Sequence, residues 1–363
     1  MFILTPMKIH YLLIVFLVFN NLLVFAQVTS ERTLNIILIC GQSNAAGNAV
    51  KSTVVKSQFT CLDAVNFTQA GDANLALTGR STFTLNSFLI SSYTKHGMEF
   101  GLAEALYKSG LTDLFIVKYA WGGSWIYLWS KTHPSIYEGR SNLYTNAIEF
   151  LNIKIAEMKN LGYKKFKFQG LVWLQGETDA LTTVRADAYR TQLNSLTTNF
   201  KNDIAASFNI SNKEIPIYLV QPATYADRTK YELPEDEAKV INALNSYASN
   251  NALAKFIATN DLTGYVDPIH FNTASQNEIG VRVAEKMRIV SKTNTVTSDN
   301  NISMYSTDNG ICINGATGEV AHFYNIYGQL IKAVEINSDT QKISIAKGLY
   351  IIAFNNFNTK ILI

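Results

Sequence analysis

The stretch LNIILICGQSNAAGN, residues 34–48, runs an aliphatic segment into a glycine and then sets down Gln42, Ser43 and Asn44 before two alanines. A buried strand has no use for a polar triplet at its end, and a helix start needs only one capping residue. The pattern puts Ser43 where a reactive group would stand. A serine hydroxyl becomes a useful nucleophile only when a base takes its proton and an oriented acid supports that base. Of the five histidines, His10 falls in an apolar leader and His322 in a C-terminal β region, which leaves His96, His133 and His270. His270 lies in YVDPIHFNTASQ, after the last expected strand and before a helix, with Asp267 three residues earlier. On a loop, that spacing brings a carboxylate and an imidazole to one point. Acyl transfer through a serine also needs donors for a tetrahedral oxyanion. KYAWGGSWIYLW offers Gly122 and Gly123, whose backbone can bring an N–H close to a ligand. VWLQGETD offers the Gln175 amide at a strand end. Taken alone, each of these two stretches reads rather as a turn or a cap.

Trp121, Trp125, Tyr127 and Trp129 crowd one loop, and aromatics with polar handles suit a sugar cleft, although some of the four should pack in the core. His96, in HGMEFGLAEAL, reads as readily as a turn before Glu99 as a cleft residue. The Gly41–Gly47 stretch lacks GxGxxG and GK[ST], which argues against a nucleotide site. GQSNA also lacks the second glycine of a GxSxG elbow.

The elements that must position these residues are short aliphatic runs at 36–40, 114–119, 171–174, 217–220 and 256–258, expected as strands. Amphipathic stretches lie between them. Tyr189, Leu193, Leu196 and Phe200 share one helical face, as do Ile279, Val283 and Met287. Thr273 followed by Gln276 resembles a capping box. Strand alternating with helix predicts an α/β fold with a mostly parallel, five-stranded sheet covered on both faces. Ligands of such sheets bind outside the carboxyl ends of the strands, the edge at which Ser43 would stand.

A content of 47% apolar and 16% charged residues describes an ordinary globular chain. A net charge of +3 without a lysine–arginine run argues against nucleic acid as a partner. Residues 1–26 read as a signal peptide: Lys8 supplies the positive charge, residues 11–25 the apolar core, and Val24 and Ala26 the small positions of a cleavage site. Cleavage after Ala26 would leave a secreted or surface protein, exported through the periplasm, with no membrane span in the mature chain. Cys40, Cys61 and Cys312 form no CxxC pair, so neither a zinc site nor a disulfide framework is expected. A Cys40–Cys61 bridge is the minority alternative to a buried Cys40.

Domain organisation follows from composition. Residues 27–290 form the α/β domain, the polar, aperiodic stretch 291–300 a linker, and 301–363 a small all-β domain with alternating strands such as HFYNIYGQLIKAVEI and GLYIIAF.

GQSNAAG, the Gly-Gly stretch ending at Trp129, WLQGETD and DPIH together resemble the blocks of the SGNH-type esterases. The resemblance is nearest to the sialate O-acetylesterase-like group that includes the acetyl xylan esterases of carbohydrate esterase family 6, and it covers roughly residues 33–290. It implies a flavodoxin-like three-layer α/β/α hydrolase removing O-acetyl groups from glycans without metal or organic cofactor. It further implies Ser43 as nucleophile, His270 as base and Asp267 as acid. Ser43, Gly123 (with Gly122 as the alternative) and Gln175 would form the oxyanion hole, and Gln42, Asn44, Trp121, Trp125 and Trp129 would contact substrate. Gln175 stands where the wider class has an asparagine. In some relatives the glutamate matching Glu177 orients the histidine, so the resemblance leaves Asp267 and Glu177 as rival or joint acids. The tail resembles the C-terminal sorting domain of the type IX secretion system of Bacteroidetes, which would make that machinery a partner; a polysaccharide-binding β module is the alternative. A non-catalytic carbohydrate-binding protein on an esterase fold is the alternative of another class.

Overall fold

The computed structural model describes residues 32–71, 81–133, 136–137, 140–224, 234–292, 296–297, 302–307, 310–325, 328–346, 348–354 and 357–362. The expected signal peptide lies outside the described residues. Strand β1 (Thr33–Gly41) forms because four consecutive aliphatics, Ile36 to Ile39, can be buried on both sides at once. Each is fully buried, a contribution of about 1.5–3 kcal/mol apiece. Around it lie β2 (Asn66–Gly71), β3 (Phe83–Thr84), β4 (Leu114–Ala120), β5 (Lys165–Leu174), β6 (Ile217–Val220) and β7 (Ala254–Ile257). They pair in the order β7-β6-β5-β1-β4-β2-β3, parallel throughout except for the β2–β3 pair.

The sheet thus has seven strands, not the expected five. The addition that matters is β2, whose sequence NFTQAG has no aliphatic run; Phe67 alone supplies a large buried side chain. It pairs along β4 from Asn66–Phe115 to Gly71–Ala120, which extends the sheet's carboxyl edge beyond β4.

Alternation along β1 divides the core. Leu34, Ile36, Leu38 and Cys40 face a layer made by α3 (Leu143–Asn160), α4 (Thr183–Phe208) and α5 (Pro234–Ser249). Ile37 and Ile39 face the opposite layer, made by α2 (Glu99–Lys108) and α6 (Thr273–Lys292), with a one-turn helix α1 (Ser43–Ala46) directly after β1. The expected helical faces are both buried, Tyr189 to Phe200 on α4 and Ile279 to Met287 on α6. The arrangement is the expected α/β/α sandwich. Cys40 and Cys61 belong to opposite layers and are free, so the alternative Cys40–Cys61 bridge does not form.

At the start of α6 the cap is Asn272, whose Oδ1 accepts the Ser275 N–H at 3.1 Å, rather than Thr273. Gln276 does not reach back to cap the helix; its amide donates to the Asn44 carbonyl at 3.0 Å. Within the stretch expected as a linker, Ser291 and Lys292 complete α6 and Val296–Thr297 pair with residues 303–304; the rest of it lies outside the described residues. The C-terminal β region has its own core, in which Met304, Ile311 and Ile313 of one four-stranded sheet meet Phe323, Ile352 and Phe354 of another. Among the described residues no helix is long and apolar enough to cross a membrane.

Candidate active site

Three strand ends meet at Gly41, which pairs with Ala120 of β4 on one side and Leu174 of β5 on the other. A side chain cannot be accommodated there: φ is +145°, and a Cβ would fall 1.9 Å from the Leu174 carbonyl oxygen. The chain leaves this crowded point into α1, so Ser43 is presented at the carboxyl edge of the sheet between the loops that follow β4 and β5. The Trp121 N–H donates to the Gly41 carbonyl at 2.9 Å, which continues the β1–β4 ladder and holds the Gly122–Gly123 loop beside the serine turn.

Asp267, His270 and Ser43 form a continuous line. His270 Nδ1 lies 2.6 Å from Asp267 Oδ2, and His270 Nε2 lies 2.9 Å from Ser43 Oγ. The other Asp267 oxygen accepts the backbone N–H groups of Ile269 and His270 at 3.0 and 2.9 Å, so the acid also shapes the turn that carries the imidazole. Burial pushes the Asp267 carboxyl up, but the His270 ring and these two N–H groups outweigh it and hold it below the usual carboxylate range. An ionised Asp267 can only accept, so the proton sits on Nδ1 and the Nε2 lone pair faces the serine hydroxyl. That is the protonation state a base needs. A bridge between Tyr265 and Phe271, whose rings stack at 5.1 Å, closes the loop.

Glu177 does not share this line. It is buried and makes no hydrogen bond to His270: its Oε1 accepts from Asn44 Nδ2 at 2.8 Å and from the Ala223 N–H at 3.3 Å, and its Oε2 has no partner. Burial raises its carboxyl above the ordinary range, against the pull of those two donors.

Two residues expected at the substrate are instead part of the scaffold. Gln42 is 3% exposed, and its Oε1 accepts from Gln175 Nε2, Gly176 N–H and Thr178 N–H at 3.2–3.3 Å, stitching the serine turn to the loop after β5. Asn44 is fully buried and bonds to the loop that carries His270. Polar side chains in a motif look solvent-facing in sequence; here they are buried because each satisfies backbone groups of a neighbouring loop.

Gln175 is likewise fully buried. Its Nε2 has three acceptors, Asp179 Oδ2 at 2.5 Å, the Ser124 carbonyl at 3.0 Å and Gln42 Oε1 at 3.2 Å, so the amide is engaged within the scaffold rather than presented to an oxyanion. Asp179, which sequence reasoning did not single out although it ends the WLQGETD block, also accepts the Ile126 N–H at 3.0 Å. It thereby ties the loop after β4 to the end of β5. Burial pushes its carboxyl up to about 7, with the Gln175 amide and the Ile126 N–H pulling the other way.

Gly123 has φ of +63° and open space where a Cβ would lie, so its backbone borders the accessible side of the site. Beyond it, Trp129 is a core residue and not a substrate contact: it is fully buried, meets Trp173 edge-on at 5.1 Å and donates its Nε1–H to Ser124 Oγ at 3.0 Å. Trp121 and Trp125 are half-buried, and the Arg185 guanidinium lies 4.5 Å from the Trp125 ring. His96 is buried, bonded to Thr273 Oγ1 at 2.9 Å, and His133 is buried against the Tyr127 ring. On the α2/α6 side of the serine turn, Lys118 and Glu99 form a buried ion pair at 3.0 Å. Lys118 also donates to the Ala46 carbonyl at 2.7 Å, supporting α1 from below. Above that pair opens a cavity of about 260 Å³ whose walls include Ala46, Asn48, Gln69, Tyr93 and Lys95.

A parallel α/β/α sandwich with a serine, a histidine and an aspartate aligned at its carboxyl edge defines a protein of the SGNH-hydrolase type. The chain belongs to the family described as carbohydrate esterase, sialic acid-specific acetylesterase, which matches residues 33–289. Residues 290–362 match a domain of unknown function, DUF6383. No curated protein matches the chain. Among solved structures it is similar to a protein from Arabidopsis thaliana (19% identity, covering 71% of this chain and 99% of that one, TM-score 0.52). It is also similar to NanS (14% identity, 73% and 99% covered, TM-score 0.51). At these identities the likeness concerns the fold.

Proposed function

We propose that this chain is a secreted serine esterase that removes O-acetyl groups from glycans through an acetyl-enzyme on Ser43. The observation that carries the reading is the 2.9 Å contact between Ser43 Oγ and His270 Nε2, in line with Asp267. Ser43 Oγ attacks the acetyl carbonyl carbon as its proton passes to His270 Nε2, and Asp267 stabilises the imidazolium that forms. The N–H groups of Ser43 and Gly123 receive the oxyanion. His270 then protonates the departing sugar oxygen, water enters, and the same base activates it to release acetate and regenerate Ser43. No step draws on a metal or an organic cofactor.

The sugar ring is assigned to the cavity beside the serine turn. The amide, hydroxyl and ammonium groups of Gln69, Tyr93 and Lys95, the last also bonded to the Asn48 side chain, beside alanine walls suit a polyhydroxylated ligand. An acetylated xylan and an O-acetylated sialic acid both meet these requirements, and the family description favours the second. The C-terminal β region is proposed to act as a sorting domain for type IX secretion, recovered in the mature protein either cleaved off or at the cell surface. Release of acetate from a panel of acetylated glycans, abolished by Ser43→Ala, tests the activity. A chain that binds such glycans and releases no acetate would be the carbohydrate-binding protein of the alternative reading.

A further inference from the structure

The acid that matches the orienting glutamate of some relatives is present but does not touch the histidine, which raises the question of what it does. We propose that Glu177 serves the serine through Asn44: Glu177 fixes the Asn44 side-chain amide, and that amide fixes the backbone on either side of His270. The inference rests on the role given to Ser43 and His270 above.

The geometry is specific. Asn44 Nδ2 donates to Glu177 Oε1 at 2.8 Å and to the Ile269 carbonyl at 3.1 Å, while Asn44 Oδ1 accepts the Phe271 N–H at 3.1 Å. Ile269 and Phe271 are the two neighbours of His270, so one amide spans the catalytic imidazole's backbone. The orientation of that amide is unique: reversing it would set oxygen against the Ile269 carbonyl and an N–H against the Phe271 N–H. Asn44 is also held from behind, since its own carbonyl accepts from Gln276 Nε2 at 3.0 Å. As Asn44 directly follows Ser43, the clamp couples nucleophile and base through one residue.

A direct role for Glu177 at the imidazole has no place in this geometry, because Nδ1 is engaged by Asp267 and Nε2 by Ser43. Nor does the clamp need a negative charge on Glu177. Only Oε1 is bonded, Oε2 has no partner, and burial raises the carboxyl. Glu177 supplies an acceptor at a fixed place, and an amide oxygen can do the same.

The test uses the full chain with Asn44→Ala, Glu177→Ala, Glu177→Gln and the Asn44→Ala/Glu177→Ala double variant. Two quantities are read: the rate at which a fluorophosphonate labels Ser43, and kcat and KM for a small acetate ester. A base displaced by an ångström costs about a hundredfold. Asn44→Ala and Glu177→Ala should therefore each lower the labelling rate and kcat by about that factor, with KM changed less than about twofold, because neither touches the ester. The double variant should be no slower than Asn44→Ala, since both remove one linkage. Glu177→Gln should recover about tenfold or more of the Glu177→Ala loss. Glu177→Gln as slow as Glu177→Ala would overturn the proposal, and so would a double variant slowed by the product of the single effects. If the Asn44 variants fail to fold, the order of the two Glu177 variants still decides. A wild-type chain that labels at Ser43 yet hydrolyses no acetate strikes only at the substrate assignment, and the labelling rates still judge the clamp.

Discussion

Asp267 holds His270 at two places: one carboxylate oxygen meets the ring Nδ1 at 2.6 Å and the other meets the residue's own backbone N–H at 2.9 Å. A single acid thus fixes both the tautomer and the loop on which the imidazole rides. Asp267→Asn presents an N–H to Nδ1 and favours the other tautomer, so kcat should fall by about four orders of magnitude. Glu177→Gln should cost no more than about tenfold, since its acceptor oxygen survives. Comparing kcat for the two variants on one acetate ester checks this. A Glu177→Gln enzyme slower than Asp267→Asn would make the glutamate the orienting acid.

Gln175 ties three loops by one amide nitrogen, so its loss should appear first in stability. Gln175→Ala takes from Asp179 Oδ2 its shortest donor and from the Ser124 carbonyl its side-chain donor in a buried site, a cost of about 1–3 kcal/mol. In a domain of this size that corresponds to a fall in Tm of roughly 2–4 °C per kcal/mol. Calorimetry should show it. An unchanged Tm with kcat reduced a thousandfold would return Gln175 to the oxyanion hole.

Asp179 should make stability pH-dependent near neutrality. Its folded-state value, about 7, lies above its ordinary 3.8, so the folded chain binds this proton more tightly than the unfolded chain. Its contribution is complete below about pH 4 and is lost as pH rises through about 7. The groups that face it electrostatically are Arg185, Glu177 and Tyr189. Asp179→Asn removes the titration, and its Tm should vary less between pH 5 and 8 than that of the wild type; parallel curves would contradict the assignment.

The cavity assignment separates binding from chemistry. Gln69→Ala and Tyr93→Phe should raise KM for an acetylated glycan by about tenfold each, the loss of one hydrogen bond to the sugar at about 1.4 kcal/mol. Neither should alter kcat for a small acetate ester. Equal effects on both esters would place these residues in the scaffold rather than at the sugar.

Lys118 and Glu99 illustrate a structural use of charge beside the site. Burial raises the Glu99 carboxyl, yet the Lys118 ammonium, His96 and the Gly97 N–H together hold it below the ordinary range. Lys118→Met leaves that carboxylate unpaired in the core and should destabilise the domain by about 3–5 kcal/mol, read by urea denaturation. A loss below about 1 kcal/mol would mean that the pair contributes little.

The parts of this molecule that are legible in sequence are those dictated by local pattern. The aliphatic runs of β1, β4 and β6 declare buried strands, and the abrupt change from Cys40–Gly41 to Gln42–Ser43 marks the carboxyl edge. Asp267 and His270 could be paired because three residues on one turn suffice to join them. What was not legible depends on contacts between distant segments. Strand β2 is concealed because Thr68 and Gln69 stand where a strand signal needs aliphatics; it is held by pairing with β4. Asn44 and Gln42 read as polar, hence accessible, until their partners 133 to 227 residues away bury them. Trp129 reads as a sugar platform until Trp173 and the Ser124 hydroxyl enclose it. Asp179 is visible in its motif, but its role is not, because the Ile126 N–H that it accepts lies on another loop.

The central claim is covalent catalysis by Ser43, and peptide mass spectrometry after fluorophosphonate treatment tests it most directly. The account predicts a single adduct on the peptide containing GQSNAAG, located at Ser43, with acetate-ester hydrolysis lost in step with labelling and absent in Ser43→Ala. An adduct at another residue, together with a Ser43→Ala chain that still hydrolyses the ester at the wild-type rate, would contradict it.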